Sequence, residues 1–169
     1  MQFEEVYNKY YNKVLRYFNI HIESAQDAED LATDVFIKCY DNFDSYDSGK
    51  AAIGTWIYAI ANNCLKNYYR GRKNNASLDD PDSAIDVADN TDMGRAVELT
   101  EMRNMLAEAL SILDEEKRRI VVLRYFSEKT TKEIAEITGL SDANVRVILN
   151  RSLSKMREYF NKNNVSWEF

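Results

Sequence analysis

Residues 130–160 read TTKEIAEITGLSDANVRVILNRSLSKMREYF and predict a short helix, a tight turn and a longer second helix. Thr130 and Glu133 have the spacing of a capping box, in which a hydroxyl and a carboxylate bind the free amides at a helix start. Gly139 stands where the chain leaves the short helix, and a left-handed backbone there costs glycine nothing sterically. This is the pattern of a helix-turn-helix, whose second helix is placed to enter the major groove of DNA.

The predicted second helix has one apolar and one polar face. Ser141 or Asp142 can cap its start. Its apolar side recurs at helical spacing, at Val145, Leu149, Met156 and Phe160. Its opposite side carries Asn144, Val147, Asn150, Arg151 and Ser154. A helical hairpin with a solvated polar face has the same pattern, so this stretch alone leaves both interpretations open.

The composition predicts an all-α fold and excludes several functions. One proline and five glycines in 169 residues leave long stretches free to be helical, and none alternates with period two. No apolar run approaches the ~18 residues of a membrane span, so we expect no membrane insertion. The first residues do not resemble a signal peptide, which predicts a cytoplasmic protein.

Few residues of this chain suit metal or catalytic chemistry. Cys39 and Cys64 lie inside helical patterns without metal-ligand spacing, and we expect reduced, half-buried thiols. His21 is expected on the surface or in a loop. The sequence shows no nucleophile–base pair and no phosphate-binding glycine loop, so we predict neither an enzyme nor a bound metal or cofactor.

The net charge of −6 conceals an uneven distribution of charge. Residues 51–75 hold four basic and no acidic side chains, and residues 117–169 hold eleven basic and six acidic ones. Residues 76–116, between them, hold twelve acidic and two basic side chains. Two basic segments separated by an acidic one are compatible with nucleic-acid binding, which the overall charge would disfavour.

The pattern along the chain predicts two small helical domains joined by an acidic flexible linker. We place the first domain at residues 1–75, the linker at 76–95 and the second domain at 96–169. The linker holds the chain's one proline and a run of aspartates that repel one another. In the second domain the expected core includes Leu99, Met102, Leu106, Ala109, Leu110, Leu113, Ile120, Val121, Leu123 and Tyr125.

Both halves resemble bacterial RNA polymerase initiation factors of the sigma-70 family, and most closely the compact extracytoplasmic-function group with only the second and fourth sigma regions. The first half carries FEEVYNKYYNKVLRYF, AEDLATDVFIKCYDNFDSYD and GTWIYAIANNCLKNYYRGRK over residues 3–73. The second carries LDEEKRRIVVLRYF and the helix-turn-helix stretch, over about residues 96–160. Two different domain signatures in the right order are more specific than a helix-turn-helix alone.

This resemblance implies a dissociable factor that binds core RNA polymerase and directs it to specific promoters. The segment that binds polymerase would include Asp30, Leu31, Asp34 and Phe36, of which Leu31 and Phe36 are also core candidates. The surface for the start-proximal promoter element and its opened strand would comprise Asp47, Ser48, Lys50, Asn62, Asn63, Lys66, Arg70 and Arg72. The surface for the upstream element would comprise Ser141, Asp142, Asn144, Arg146, Val147, Asn150, Arg151 and Lys155. The resemblance also implies an anti-sigma factor as a partner.

Several residues depart from the family pattern. Thr33 stands where the group usually has glutamine, and Asn67 where an acid is common. Ile148 and Leu153 stand where arginine is frequent, and Val147 replaces a small polar residue. A less basic recognition helix fits a factor that binds DNA while polymerase holds it. Two alternatives stay open: a stand-alone helix-turn-helix regulator, and an interaction protein with a degenerate DNA surface.

Overall fold

The computed structural model describes residues 2–75 and 96–163, with the side chains of residues 2–73 and 101–163. The regular structure within these ranges is helical throughout, which confirms the predicted all-α fold. The expected linker at 76–95 lies outside the described residues. The helices are α1 (Phe3–His21), α2 (Ala25–Asp41), α3 (Ile53–Asn75), α4 (Ala96–Ser111), α5 (Glu115–Tyr125), α6 (Thr131–Thr138) and α7 (Asp142–Lys162), with a 3-10 turn at Phe43–Ser45.

The first three helices pack against one another as a unit. The first two helices begin with a polar cap: the Gln2 amide before α1 donates to Glu5 Oε2 at 3.3 Å, and Ser24 Oγ accepts from the Asp27 amide of α2 at 3.1 Å. Apolar side chains from all three helices fill the interior, because each helix turns one face inward. This interior contains Val14, Phe18, Ala32, Val35, Ile57 and Leu65.

The last four helices form a second unit, in which α7 packs against α4, α5 and α6. Asp114 caps α5 by accepting from the Lys117 amide at 2.9 Å. The Arg118 guanidinium donates to the carbonyls of Leu110 and Leu113 at 3.1 and 3.0 Å, so α5 also satisfies the free end of α4. The interior contains Leu110, Ile120, Leu123, Ile134, Val145, Leu149, Met156 and Phe160.

Helices α6 and α7 form the predicted helix-turn-helix. The capping box is present, since Thr130 Oγ1 accepts from the Glu133 amide at 3.2 Å and Glu133 Oε2 accepts from the Thr130 amide at 2.9 Å. Gly139 has the predicted left-handed backbone, with φ of 77°. Ser141, not Asp142, caps α7 by accepting from the Asn144 amide at 3.2 Å.

The two units contact each other along α3 and α6, and more narrowly along α1 and α5. Thr55 near the start of α3 and Asn62 farther along it are both buried. Thr55 Oγ1 donates to Glu133 Oε1 at 2.9 Å, and Asn62 Nδ2 donates to the Ile137 carbonyl at 3.3 Å. The helix-turn-helix unit therefore rests on the side of α3.

The structure corrects several expectations about burial. His21 is buried, because α1 continues to this residue and the second unit covers its end. Met102 is 65% exposed, since α7 contacts α4 nearer its C-terminal end. Tyr125 is 46% exposed, because α5 is enclosed in its middle, at residues 119–123, rather than at its end. Cys39 and Cys64 are buried rather than half-buried.

Candidate nucleic-acid interfaces

The outer face of α7 carries the residues predicted to read duplex DNA. Asn144, Val147, Asn150 and Arg151 are all exposed. They share one face of α7 because the apolar stripe on its opposite side is buried against the second unit, which fixes the orientation of α7 about its own axis. Asparagine and arginine have the donors and acceptors that pair with base edges in a major groove, and either can bind phosphate.

Other predicted residues at this surface already have partners within the protein. Arg146 Nη2 lies 2.8 Å from Asp142 Oδ2, one helical turn away, so the guanidinium is held against the start of α7. The Ser141 hydroxyl oxygen accepts from the Asn144 amide and retains its own hydrogen as a donor. Lys155 donates to the Ile112 carbonyl at 2.7 Å and so ties α7 to the segment after α4.

Ile148 and Leu153, the apolar residues at positions where the family often has arginine, are less exposed than Val147. Ile148 is partly buried and packs against the hydrophobic core. Leu153 is also partly buried, whereas Val147 is 43% exposed on the polar face. Ile148 therefore extends the core rather than the exposed polar face of α7.

Residues 46–51 form a small polar loop between α2 and α3. Asp47 Oδ1 accepts from the Gly49 amide at 2.8 Å, and Lys50 Nζ lies 3.9 Å from Asp47 Oδ2. Tyr46 donates to the Ala51 carbonyl at 2.9 Å, which ties the two ends of the loop together. The predicted residues Asp47, Ser48 and Lys50 are all exposed here, with polar groups that can bind unstacked bases.

The basic end of α3 extends from this loop without acidic neighbours in sequence. Asn63, Arg70 and Arg72 are exposed and Lys66 is half-buried. Arg72 lies over the Tyr68 ring, 5.8 Å from its centroid. Basic groups in such a row suit phosphate binding. Asn62 differs from the rest, since it is 0% exposed and covered by α6.

The outer face of α2 carries the acidic residues predicted to bind polymerase. Asp30 is exposed and accepts from Gln26 Nε2 at 3.0 Å. Asp34 pairs with Lys38, and the Asp34 carboxylate beside Lys38 raises the pKa of that ammonium. Leu31 is half-buried. Phe36 belongs to the core, since only 3% of its surface is exposed and its ring contacts the Tyr7 ring. Phe36 thus supports this face from inside and does not present its own surface.

Sequence reasoning missed two apolar residues on the same helix. Ile37 is 55% exposed and Tyr40 is 64% exposed, and the Tyr40 ring contacts Phe3 of α1 at 5.2 Å between centroids. Large apolar side chains in contact with solvent beside charged ones are typical of binding surfaces. Their spacing from Asp30 and Asp34 in the helix could have indicated this, because residues 30, 34 and 37 recur at helical intervals.

The described residues form neither a cluster of metal ligands nor a membrane-spanning helix. In that part of the chain, no three His, Cys, Asp or Glu side chains are grouped as metal ligands would be. No described helix combines the length and apolar character needed to cross a membrane.

Two protein-family models match the chain, one for each unit. The model for Sigma-70 region 2 matches residues 4–75, and the model for Sigma-70, region 4 matches residues 103–156. Among curated proteins, the chain is 27% identical over 162 residues to the ECF RNA polymerase sigma factor SigM of Bacillus subtilis, spanning 96% of this chain and 97% of that protein. It is also 27% identical to the ECF RNA polymerase sigma factor SigW of the same organism, over 92% of this chain and 87% of that one.

A solved structure shares the fold. The sigma factor RpoE from Bartonella quintana, in a co-crystal with the anti-sigma factor NepR, superposes with a TM-score of 0.77. That likeness covers 94% of this chain and 96% of that chain at 18% identity, so it bears on the fold alone. The two sigma regions occur in order along nearly the whole length shared with the curated relatives, and the chain therefore belongs to the sigma-70 family of RNA polymerase sigma factors, in its extracytoplasmic-function group.

Proposed function

We propose that this protein is a dissociable transcription initiation factor, which binds core RNA polymerase and directs the enzyme to specific promoters. The observation that carries the proposal is the presence of both sigma regions in one chain, region 2 at residues 4–75 and region 4 at residues 103–156. The protein acts without catalysis of its own, because the polymerase performs the chemistry. Its place of action is the cytoplasm, where the polymerase is.

Polymerase binding is assigned to the outer face of α2. Asp30 and Asp34 supply negative charge that steers association with a basic surface. Ile37 and Tyr40 supply apolar area that becomes buried on docking, and such residues contribute most of the free energy of binding at interfaces. Leu31 and Phe36 pack against the core beneath this face and support its position.

Binding of the start-proximal promoter element is assigned to the loop after α2 and the basic side of α3. Asp47, Ser48 and Lys50 present small polar groups to an unstacked base of the opened strand. The strand then follows α3, where its phosphates meet basic and amide side chains. These side chains are Asn62, Asn63, Lys66, Arg70 and Arg72.

Recognition of the upstream element is assigned to α7 in the major groove of duplex DNA. Arg151 and Asn150 are the candidates for base-edge contacts, because their side chains are exposed and can each make two hydrogen bonds. Arg146 is positioned by Asp142 at the start of the same helix. Ser141, Asn144 and Lys155 are placed for backbone or flanking contacts, and Val147 for an apolar one.

The two weak DNA contacts reinforce each other when both domains are held on one polymerase. Tethering replaces a second bimolecular event by an intramolecular one with a high effective concentration. A recognition helix with few arginines is therefore sufficient. An anti-sigma factor is a proposed partner too, since the sigma factor RpoE, which shares this fold, was crystallised with the anti-sigma factor NepR.

The test is to footprint core polymerase reconstituted with this protein on genomic DNA fragments. We expect protected promoters that share an upstream and a start-proximal element. Asn150→Ala and Arg151→Ala are expected to reduce selectivity for the upstream element about tenfold each, because a bidentate base contact contributes ~1–3 kcal/mol. Lys162→Ala, a basic residue at the far end of the same helix, is the control and is expected to leave selectivity unchanged.

The rival function is a stand-alone helix-turn-helix regulator. Such a protein would bind a palindromic site as a dimer and without polymerase. Specific footprints from this protein alone, unaffected by added polymerase, would support the rival and contradict the proposal. The two unlike halves of the chain disfavour it, because only one of them carries the helix-turn-helix.

A further inference from the structure

We propose that the cleft between α1 and the turn after α5 is a binding site for a nucleotide, which basic side chains hold by its phosphates and aromatic side chains by its base. This inference goes beyond the proposed function, because it adds a small-molecule ligand that neither polymerase nor promoter binding requires. The observations that carry it are the size of the cleft, the charge of its walls and the environment of one lysine ammonium.

The cleft has the size and the mixed walls of a small-molecule site. It measures about 430 Å³ and lies where α1 and α3 meet residues 126–129, which follow α5. Ligand pockets in proteins commonly measure ~300–1,000 Å³ and combine apolar walls with a few polar groups. Tyr10, Tyr58 and Phe126 supply aromatic walls here, and Ser127 supplies a hydroxyl. The cleft can therefore take a ligand that has both a flat ring and polar groups.

The walls of the cleft carry three positive charges and one negative charge. Lys13 and Arg16 belong to α1, Lys129 follows α5, and Glu128 supplies the negative charge. Lys13 and Arg16 are exposed, and neither forms an ion pair with any residue that the structure describes. A concave surface with an excess of one charge concentrates ligands of the opposite charge. The walls therefore favour an anion with more than one negative charge.

Lys129 gives the strongest indication of an anionic ligand. Its side chain is only 12% exposed, and its Nζ lies 5.1 Å from the centre of the Tyr58 ring and 3.7 Å from Glu133 Oε1. The distance to Glu133 exceeds that of a hydrogen bond, so this ammonium donates no hydrogen bond within the described ranges. A charge so nearly buried is costly without a hydrogen-bonded partner, and a phosphate oxygen would supply one.

Tyr10 brings the charged and the aromatic parts of the cleft together. A Cβ added to Gly54 would lie 2.9 Å from Lys129 Nζ and 3.2 Å from the Tyr10 hydroxyl oxygen, so the two side chains meet over this glycine. Lys13 Nζ lies 5.8 Å from the centre of the same ring. Two ammonium groups beside one aromatic ring suit a ligand whose base stacks on the ring while its phosphates bind the charges.

The turn that contributes Lys129 has a strained backbone at Glu128. The φ of Glu128 is 54°, in the left-handed region that disfavours residues with a side chain. Its two neighbours reach Tyr58: Lys129 lies over the ring, and the Ser127 side chain, with Arg16, opposes the rise that burial causes in the pKa of the Tyr58 hydroxyl. Such strain persists where the surrounding structure requires it, and it is frequent at binding sites.

Titration calorimetry on the full chain with ATP, GTP and inorganic tripolyphosphate tests the site. We expect both nucleotides to bind with dissociation constants of roughly 10–500 μM. Tripolyphosphate should bind about tenfold more weakly, because it has no base to stack on the aromatic walls. Tripolyphosphate that binds as tightly as ATP would overturn the assignment to a nucleotide. Failure of every probe to bind at roughly 5 mM would overturn the site itself.

Changes of opposite charge locate the binding in the cleft. Lys13→Ala and Arg16→Ala remove exposed charges and should leave the fold intact. Each is expected to weaken ATP binding about tenfold, since hydrogen bonds to charged groups are lost. Glu128→Gln removes the negative charge and should tighten ATP binding about threefold. Unchanged ATP affinity in all three variants would show that the nucleotide binds elsewhere and would overturn the inference.

Lys132→Ala and Glu136→Gln are the matched controls, because they make the same charge changes at exposed positions of α6. Neither residue lines the cleft, so both variants are expected to bind ATP as the wild type does. Effects as large as those of the cleft variants would indicate general attraction by the charge of the protein and would contradict the site.

Competition with a short DNA duplex distinguishes a nucleotide from a nucleic-acid backbone as the occupant. A cleft of about 430 Å³ has no room for a double helix, so a duplex of unrelated sequence at equal phosphate concentration should leave ATP binding unchanged. Displacement of ATP by the duplex would assign the basic walls to DNA phosphates and overturn the proposal. These measurements contain no polymerase, so their outcome is independent of the proposed function.

Discussion

His21 shows how one residue can link stability to pH. Its ring is buried against Tyr17, with ring centres 4.8 Å apart, and it ends α1 where α5 covers the first domain. Burial, with Arg118 and Arg119 nearby, lowers the pKa of His21 from about 6.5 to about 3. Below pH 6.5, His21 therefore binds a proton in the unfolded chain but stays neutral in the folded chain. The free energy of unfolding consequently falls as pH decreases through that range.

We expect the free energy of unfolding to fall by about 1.4 kcal/mol from this residue alone between pH 7.5 and 5.5, since one pKa unit corresponds to ~1.36 kcal/mol. Urea denaturation at both pH values measures it. His21→Phe keeps an aromatic ring without a titrating group, so its stability should change less over the same interval. An equal change in both proteins would contradict the burial of a neutral histidine.

Val147 provides a prediction about base recognition. An exposed branched side chain among polar ones suits apolar contact with the methyl group of thymine in the major groove. Replacing one thymine of the upstream element by deoxyuridine removes only that methyl group. We expect one such replacement to weaken binding by the wild-type holoenzyme about fourfold, given ~0.8 kcal/mol per buried methylene. Measured with Val147→Ser, the same replacement should have no effect; wild-type insensitivity at every thymine would exclude this contact.

Single residues also show which structural features could be predicted from the sequence and which could not. Thr130, Glu133 and Gly139 act within three or four residues of themselves, so their roles could be predicted from spacing alone, and the structure confirms them. The burial of His21 and Asn62 depends on helices more than 70 residues away in the chain. No local pattern predicts this burial, and the predicted surface position of His21 was wrong for that reason.

At the scale of elements, polar caps stand at the starts of five helices, α1, α2, α5, α6 and α7, and apolar stripes turn the amphipathic helices inward. The turn between α6 and α7 depends on Gly139, whose φ of 77° disfavours residues with a side chain. An added Cβ there would meet nothing within 4 Å, so a substitution changes only backbone energy. Gly139 therefore permits the turn, while Leu140 and the buried stripe of α7 pack against the core.

Gly139→Ala is expected to destabilise the protein by ~1–2 kcal/mol, the cost of a left-handed backbone for a residue with a Cβ. Gly71→Ala is the matched control, because Gly71 lies on an exposed part of α3 and an added Cβ also meets nothing there. That change should stabilise by ~0.5–1 kcal/mol, as alanine favours helix over glycine. Thermal denaturation compares the two, and a loss of stability in both would point to packing rather than backbone conformation.

Most elements follow from local chemistry, because caps and apolar spacing act within a few residues of themselves. The inner face of α5 was predicted less well, because four consecutive residues, 120–123, are all buried. A short helix enclosed on several sides has no amphipathic period, and the exposed Tyr125 beyond it was wrongly expected in the core. On the outer face of α2, the charged residues Asp30 and Asp34 were predicted, whereas the exposed apolar residues Ile37 and Tyr40 were not.

At the scale of the whole molecule, charge and topology separate two DNA-binding surfaces along one chain. The basic end of α3 and the outer face of α7 belong to different units, and the acidic residues 76–116 lie between them in sequence. The contact between α3 and α6 sets one surface against the other unit. Tethering of both units on one polymerase would let the two surfaces bind separate elements of one promoter and couple their contacts.

The most direct measurement is the equilibrium affinity of the purified protein for core RNA polymerase, with no other protein or DNA present. The account predicts a specific one-to-one complex, weakened at least tenfold by Tyr40→Ala, since truncating a buried aromatic anchor costs ~2 kcal/mol or more. Glu29→Ala, an exposed acidic residue on the same helix, is the control and should bind as the wild type does. Absence of any complex between the purified protein and core polymerase would contradict the account.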